Sequence, residues 1–292
     1  MRIFQRGLNI TVLSGIFFMS LFGQLSDRGR DEPYTLMWDL GGTLVDVHWW
    51  SFCQEVGLWD FGLYYLFDAR CDKDLFLRRM FQVLEILGGA QQGPENFKSK
   101  HNGVTNLPAH MHHWLSGKYD RDPEAFVKKL EQGIDELFEQ GFFTNKREYR
   151  LIRRAVRLIF DPNKLIHHQK IHRPLVKMLE KISCAGVHKN MILSNWDAAS
   201  FDLFLQTPIG QELSQFIDTD AMVISGRIFL TKPHPDFFAY VLKTYKLHHK
   251  NCIFIDNDPV NCAMAQSLGI KTIHFTGDVA AVKKTLKDLK IL

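Results

Sequence analysis

One short stretch near the beginning of the chain, TLMWDLGGTLVD at residues 35–46, constrains the fold more than any other. Leu36, Met37 and Trp38 form an apolar run typical of a buried strand, and the run ends on the carboxylate of Asp39. Two adjacent glycines then favour a tight turn whose backbone amides can approach an anion. Because open parallel sheets bind ligands at the carboxyl ends of their strands, the pattern predicts phosphate chemistry here. A purely structural turn is the alternative for this stretch taken alone.

Three later segments place polar or charged residues at the end of an apolar run or in the loop that follows it. Ser194 and Asn195 end the run MIL, and Asp256 ends the run CIFI. Lys232 comes just before a sequence typical of a helix that begins at proline. Since the ends of parallel strands meet at one edge of a sheet, we expect these side chains to converge on Asp39.

The four segments together resemble the signature of the haloacid dehalogenase-like superfamily. The sequences LSN, KPHPDFF and FIDNDPVNCAMAQSLGIKTI are similar to its helical-cap (type I) branch. The resemblance covers the chain before Val47 and residues 171–273. It implies an α/β fold with a three-layer, parallel-sheet, Rossmann-like core and an inserted α-helical cap. The expected parts are an N-terminal segment at residues 1–33, a core at residues 34–46 and 166–292, and a cap at residues 47–165.

The resemblance also implies a role for each site residue. Asp39 is expected to attack phosphorus and form an aspartyl-phosphate, Lys232 to offset the repulsion between the two anions, and Ser194 to hydrogen-bond a phosphoryl oxygen. Asp39, Asp256 and the backbone carbonyl of Gly41 are expected to bind Mg²⁺, with water and phosphate completing its coordination. The residues expected to bind the substrate are Gly42, Thr43, Ser194, Asn195 and Lys232.

Two positions depart from the superfamily's phosphatase pattern. Phosphatases of the superfamily usually carry a second Asp two residues after the nucleophile as general acid and base, and this chain has Gly41 there. The last segment often has two consecutive acids, whereas here Asn257 follows Asp256 and Asp258 comes one place later.

With the resemblance and these two departures together, three interpretations of the function are open. We expect a Mg²⁺-dependent phosphatase that acts on a small phosphorylated metabolite. The alternatives are a catalytically weak or inactive phosphate-binding or interaction module and a carbon–halogen hydrolase of the dehalogenase type. A dehalogenase needs no general acid because halide takes no proton, but it also needs no metal, and Asp256 suits a metal-binding phosphatase better.

The first 33 residues are an addition that the expected core does not require. Arg2 and Arg6 precede an apolar run from about Leu8 to Leu25, and a charged segment follows, as in a signal peptide or short anchor. No A-x-A cleavage site is present, and the run is short and polar for the ~20 residues that a bilayer needs. We predict export or membrane association, with a cytoplasmic helix packed on the domain as the alternative.

The composition limits the kinds of binding partner and metal site that the sequence predicts. The formal charge of +4 and the lack of a Lys/Arg run give no sign of a nucleic-acid footprint, and the sequence does not indicate the oligomeric state. Five cysteines without a CxxC spacing are predicted to be small core side chains rather than disulfides or a zinc site. The paired histidines, such as His112 and His113, are predicted to lie on the surface.

The hydrophobic periodicity predicts the elements beyond the first turn. Within the cap, residues 74–87 and 123–138 are predicted helices and residues 88–106 a loop. The aromatic residues between 49 and 67 are predicted to form mostly the cap core, with some facing the cleft. The predicted core elements are helix 174–181, strand 191–193, a helix at 201–216 broken near Pro208 and Gly210, strand 221–225, helix 235–245, strand 252–255, helix 259–268 and strand 271–275.

Overall fold

The computed structural model describes residues 33–69, 72, 75–88, 109–117 and 122–292. From Tyr34 to Leu292 the chain forms one compact unit. The predicted N-terminal signal or anchor and most of the loop predicted at 88–106 lie outside the described residues. Within the described ranges, we find no helix with the length and apolar character required to cross a bilayer.

A five-stranded parallel sheet forms the centre of the structure and has the order β5-β4-β1-β6-β7. The described strands are, in chain order, β1 (Thr35–Trp38), β2 (Val45–Val47), β3 (Gln169–Ile171), β4 (Lys189–Ser194), β5 (Met222–Ile224), β6 (Cys252–Asp256) and β7 (Lys271–His274). In the register of the sheet, Trp38 lies beside Ile192 of β4 and Ile255 of β6. The residue that follows β1 therefore emerges between the ends of two neighbouring strands.

Helices cover both faces of this sheet. Leu36 and Trp38 of β1 pack in a cluster with residues such as Phe201, whereas Met37 faces the opposite cluster, which contains Phe237. Leu36, Met37 and Trp38 have no exposed surface because both faces of β1 are covered, which explains the uninterrupted apolar run. The helices after β3 are α7 (Arg173–Ala185), α8 (Ala198–Phe204), α9 (Pro208–Leu213), α10 (Ser225–Ile228), α11 (Pro235–Thr244), α12 (Pro259–Ser267) and α13 (Val279–Asp288), with 3₁₀ turns at Thr219–Ala221 and His249–Asn251.

The segment between β2 and β3 is helical. Its buried apolar side chains form a cluster of their own, separate from the two clusters on the faces of the sheet. The elements are α1 (Trp49–Leu63), a π-helical turn (Tyr64–Asp68), α2 (Leu75–Leu87), α3 (Ala109–Leu115), α4 (Pro123–Glu139), α5 (Lys146–Ile159), α6 (Pro162–Leu165) and a 3₁₀ turn (Ile166–His168). The three-layer α/β fold with a helical insertion is thus confirmed, while the boundaries at residues 47 and 165 stay predictions.

Two short antiparallel strands join the helical insertion to the sheet. Val45 of β2 pairs with Ile171 of β3, and Val47 pairs with Gln169. The His48 side chain then caps α1 by accepting a hydrogen bond from the backbone N–H of Ser51. We call the β2–β3 pair the hinge ladder.

The structure corrects several element boundaries. The predicted strand at 221–225 is β5 alone, because α10 begins at Ser225. The helix predicted at 201–216 with a break is two separate helices, α8 and α9. Thr207 caps the start of α9, because its side chain accepts a hydrogen bond from the backbone N–H of Gly210. The other predicted core elements are present, with ends that shift by at most four residues.

Two predictions about side-chain burial are partly wrong. Among the aromatic residues at 49–67, Phe52 and Tyr64 are buried, but Trp59 and Phe67 are 85% and 70% exposed. A helix buries one stripe, and the number of aromatic residues does not tell which of them lie on that stripe.

The prediction that the cysteines are core side chains is also only partly correct. Cys252 and Cys262 are buried as predicted, whereas Cys184 is exposed near the end of α7 and Cys53 is half-buried. All four are free cysteines, and Cys71 lies outside the described residues.

Candidate active site

Three charged side chains, two from strand ends and one from the loop before α11, meet at the carboxyl edge of the sheet. The Lys232 Nζ atom lies 2.6 Å from Asp39 Oδ1 and 2.7 Å from Asp256 Oδ2. All three side chains are buried. The structure therefore brings together the predicted nucleophile, the predicted lysine and the predicted second carboxylate, which are separated by 193 and 24 residues along the chain.

Asn195 holds the backbone of Lys232 in place. The Lys232 N–H donates to Asn195 Oδ1 at 2.8 Å, and Asn195 Nδ2 donates back to the Lys232 carbonyl at 2.8 Å. This paired amide contact fixes the direction in which the lysine side chain leaves its loop. Asn195 thus has a supporting contact that the sequence did not indicate, and its predicted contact with phosphate stays a prediction.

The turn after β1 is closed by its own hydrogen bonds. Gly42 has a φ of +82°, and a Cβ there would lie 2.5 Å from Asn257 Nδ2, so only glycine fits. The Gly42 amide donates to the Val45 carbonyl at 2.7 Å, and Thr43 Oγ1 donates to Asp39 Oδ2 at 3.1 Å. Gly42 and Thr43 therefore shape the turn and orient the Asp39 carboxylate, while their predicted phosphate contacts stay predictions.

Burial controls the electrostatics of the cluster. Burial raises the pKa of Asp39 to about 7, with the Lys232 ammonium opposing the shift and the Asp256 carboxylate adding to it. Burial alone would lower the pKa of Lys232, but the carboxylates of Asp256 and Asp39 outweigh it and raise that pKa to about 12. The lysine is therefore charged, and further positive charge beside Asp39 would favour its ionised, nucleophilic form.

Asp256 is held more firmly than Asp258. Asp256 Oδ1 accepts from the Asp258 N–H at 2.7 Å, and Oδ2 accepts from Asn261 Nδ2 at 3.1 Å. The Asp258 carboxylate instead caps α12 by accepting from the Val260 N–H at 2.8 Å. Asp258 thus serves as a helix cap and does not replace the second acid of the superfamily's pattern.

The donor atoms of the cluster suit Mg²⁺. Two buried carboxylates and one lysine leave a net negative charge, and Mg²⁺ is commonly held by one or two carboxylates with water and substrate phosphate. Within the described residues there is no group of three His, Cys, Asp or Glu side chains suited to a metal. A cation here would therefore depend on Asp39, Asp256, a backbone carbonyl such as that of Gly41, water and phosphate.

The two remaining site predictions are Ser194 and Gly41. Ser194 ends β4 with its side chain buried, one strand away from Asp39 in the sheet. Gly41 lies on the exposed side of the turn, and a Cβ added there would meet no atom within 4 Å. The turn therefore has room for a side chain at the position where the general acid is missing.

The helical insertion contacts two of the site loops through α3. His112 Nε2 lies 2.9 Å from Thr231 Oγ1, next to Lys232, and Trp114 Nε1 donates to Asp197 Oδ2 at 3.0 Å. Burial raises the pKa of Asp197, which also caps α8. Sequence reasoning missed these contacts and placed His112 on the surface. An Asp just before a helix is an N-cap signal that could have identified Asp197.

The comparisons with known proteins agree with this fold. The family model for haloacid dehalogenase-like hydrolases matches residues 35–269. The chain therefore belongs to the haloacid dehalogenase-like hydrolases, as its four segments predicted.

Individual relatives are more distant. Bifunctional epoxide hydrolase 2 of Rattus norvegicus is 26% identical over 121 residues, which are 41% of this chain and 21% of that protein. The chain thus spans only a small part of the length of this relative.

Solved structures match over most of the chain. A crystal structure of a dehalogenase is 16% identical with a TM-score of 0.50, covering 86% of this chain and 88% of that one. A haloacid dehalogenase family enzyme of Bacteroides thetaiotaomicron, solved with magnesium and inorganic phosphate, is 15% identical with a TM-score of 0.47, covering 83% and 93%. At these identities the likeness shows the fold alone.

Proposed function

We propose that this hydrolase is a Mg²⁺-dependent phosphatase of a small phosphorylated metabolite. The observation that supports the proposal most is the buried cluster of Asp39, Lys232 and Asp256. A dehalogenase would need the nucleophile and the lysine but no metal ion. A carboxylate pair suits a phosphatase because a divalent cation and a phosphate dianion can share the site.

The reaction starts with attack by an Asp39 oxygen on the phosphorus of the monoester. The phosphorus–oxygen bond to the leaving alcohol breaks as the aspartyl-phosphate forms, and water then attacks phosphorus and releases phosphate and free Asp39. Thr43 donates to Asp39 Oδ2 and Lys232 to Oδ1, so the two contacts fix the orientation of the carboxylate for attack. The fixed Lys232 charge stabilises the additional negative charge on the phosphoryl oxygens. Bound Mg²⁺ would supply Lewis-acid stabilisation of that charge.

The leaving group restricts the substrate class. The turn provides no carboxyl group at Gly41 to protonate an alkoxide as the bond breaks. Leaving groups of low pKa need that proton least, so aryl phosphates, acyl phosphates and sugar 1-phosphates are the expected substrates.

A panel of phosphorylated metabolites tests the proposal directly. We expect phosphate release that depends on Mg²⁺, stops with excess chelator and is absent in the nearly isosteric variant Asp39→Asn, whose folding is checked by circular dichroism. Full phosphatase activity in chelator, or in folded Asp39→Asn, would contradict the mechanism. Halide release from 2-haloacids without Mg²⁺ would favour the dehalogenase alternative. Phosphate binding without any turnover would favour a binding module.

A further inference from the structure

The outer side of α1 and the π-helical turn after it exposes an apolar surface. Leu63 lies four residues after Trp59, and Leu66 and Phe67 lie three and four residues after Leu63, so the four side chains lie toward one side of this helical segment. Their exposures are 85%, 38%, 59% and 70% in that order. We call these four residues the aromatic face.

The packing of the helical insertion does not require this face. The same helical segment already buries Phe52, Val56 and Tyr64 in the cluster of the insertion. Gly57, with a φ of +123°, kinks α1 between the part that carries Phe52 and Val56 and the part that carries the aromatic face. Arg154 Nη1 donates to the carbonyl of Val56 beside this kink. Large apolar side chains that are exposed together on a folded domain suggest a binding surface.

Positive charge borders the aromatic face. Asp60 follows Trp59 in the chain, and its carboxylate is paired with Arg150 at 2.9 Å and Arg154 at 3.4 Å. The arginine side chains are 38% and 49% exposed, against 22% for Asp60. At the other end Asp68 follows Phe67, and its side chain is 16% exposed while that of its partner Arg147 is 28% exposed. At both ends the guanidinium groups reach further into solvent than the carboxylates.

We propose that the aromatic face lies on the surface of a phospholipid bilayer that contains anionic lipids. Tryptophan is enriched at the membrane–water boundary, where its ring meets both the apolar and the polar zones. Leucine and phenylalanine on the same side would enter the acyl boundary, as on an interfacial helix. Arginines at the border would bind lipid phosphate groups, since their charge and planar donors suit phosphate.

The amino-terminal sequence adds a second membrane signal to the same chain. Residues 8–25 form a mostly apolar run interrupted by small or polar residues, and the run follows Arg2 and Arg6. Because one weak membrane signal gives only reversible attachment, stable binding usually requires two. A peripheral face on the folded domain together with an apolar N-terminal stretch fulfils that requirement.

Hydrogen exchange of the full-length protein on vesicles tests the face itself. With vesicles of phosphatidylcholine and phosphatidylserine, we expect amide exchange at residues 58–67 to slow on binding. Exchange in α11, which carries the exposed Tyr240, should stay unchanged. Bound protein with unaltered exchange at 58–67 would overturn the proposal, because any attachment would then be due to another part of the chain.

A pair of full-length variants tests the same surface by affinity. Trp59→Ser combined with Phe67→Ser should lower the vesicle partition coefficient at least about tenfold while the melting temperature is retained, since both side chains are exposed. Val187→Ser is the matched control, because Val187 is 60% exposed on the sheet domain, and it should bind as the wild type does. Equal loss in the control would overturn the proposal. So would a dimer, seen by light scattering, that the double variant dissociates, because the face would then belong to a second copy.

Discussion

Lys232 determines how the two carboxylates of the candidate site can be buried together. A like charge nearby disfavours ionisation of a buried carboxylate, and the Lys232 ammonium opposes that effect at Asp39. Because all three side chains are buried, removal of one partner leaves an uncompensated charge in the interior. This arrangement makes the roles of individual carboxylates testable by substitutions that differ by one atom.

The two neighbouring aspartates of the β6–α12 loop should differ sharply. Asp256→Asn removes a charge that contacts Lys232, so phosphate release should fall by at least about 100-fold. Asp258→Asn is the matched control, because Asn caps helices as well as Asp does, and it should keep activity and stability near wild type. Steady-state kinetics at saturating Mg²⁺ measures both. Equal loss in the two variants would show that the loop, rather than the Asp256 charge, is what matters.

Gly41 should control the dependence on the leaving group. The structure allows a side chain there, since no atom lies within 4 Å of the added Cβ and Gly41 is not among the residues with positive φ. A general acid typically contributes about 10² to 10⁴ in rate, so Gly41→Asp should accelerate alkyl phosphates far more than aryl phosphates. Gly41→Asn is the control of equal size that donates no carboxyl proton. If the wild type hydrolyses both classes at equal rates, with chemistry limiting, another residue supplies the proton.

Among the elements, the hinge ladder joins the insertion to the sheet, and titratable groups lie next to it. Ser51 Oγ lies 3.0 Å from His48 Nδ1 and 3.0 Å from His168 Nδ1, at the start of α1 and the end of the 3₁₀ turn before β3. Burial lowers the pKa of His168, and the nearby Glu55 opposes this shift. The other charged or titratable groups that act on His168 are His167, His48 and Lys164, all of which lower its pKa further.

This arrangement predicts a stability loss in mild acid. His168 binds a proton more weakly when folded than when unfolded, so its contribution is complete above its unfolded pKa of about 6.5 and is lost as the pH falls below it. The urea midpoint of the wild type should therefore drop more between pH 7.5 and pH 5.5 than that of His168→Asn. His167→Asn, at the exposed neighbouring position, should behave as the wild type does. Identical pH dependence in His168→Asn and wild type would exclude this role.

The elements also show how far sequence reasoning reaches. The buried strands were predictable because an apolar run such as CIFI, bounded by polar residues, has few other uses in a soluble chain. Asp39, Lys232 and Asp256 were predicted to converge because strand ends meet at one edge. The paired amide contact of Asn195 and the α3 contact of Trp114 could not be predicted, since both depend on how distant loops face each other. The exposed Trp59 was not identified because the number of aromatic residues does not tell which of them lie on the buried stripe of the helix.

At the scale of the whole molecule, the insertion reaches the carboxyl edge of the sheet through contacts of α3, including those of His112 and Trp114. Because His112 and Trp114 touch the loops that carry Lys232 and Asn195, the insertion and the sheet share the task of placing the lysine. Family membership and fold are shown, and the phosphatase activity depends on the chemistry proposed for Asp39. One covalent bond between Asp39 and phosphorus therefore distinguishes the proposal from its alternatives.

Reductive trapping of that bond is the most direct measurement. The protein is mixed with Mg²⁺ and an aryl phosphate or another substrate found in the panel, quenched in acid within a single turnover, and treated with borohydride, which reduces an aspartyl-phosphate to homoserine. Peptide mass spectrometry should find homoserine at position 39 in the wild type with Mg²⁺, and none when chelator replaces Mg²⁺ or when the substrate is left out. Phosphate release that proceeds with Asp39 unmodified, or homoserine at another aspartate, would contradict Asp39 as the nucleophile.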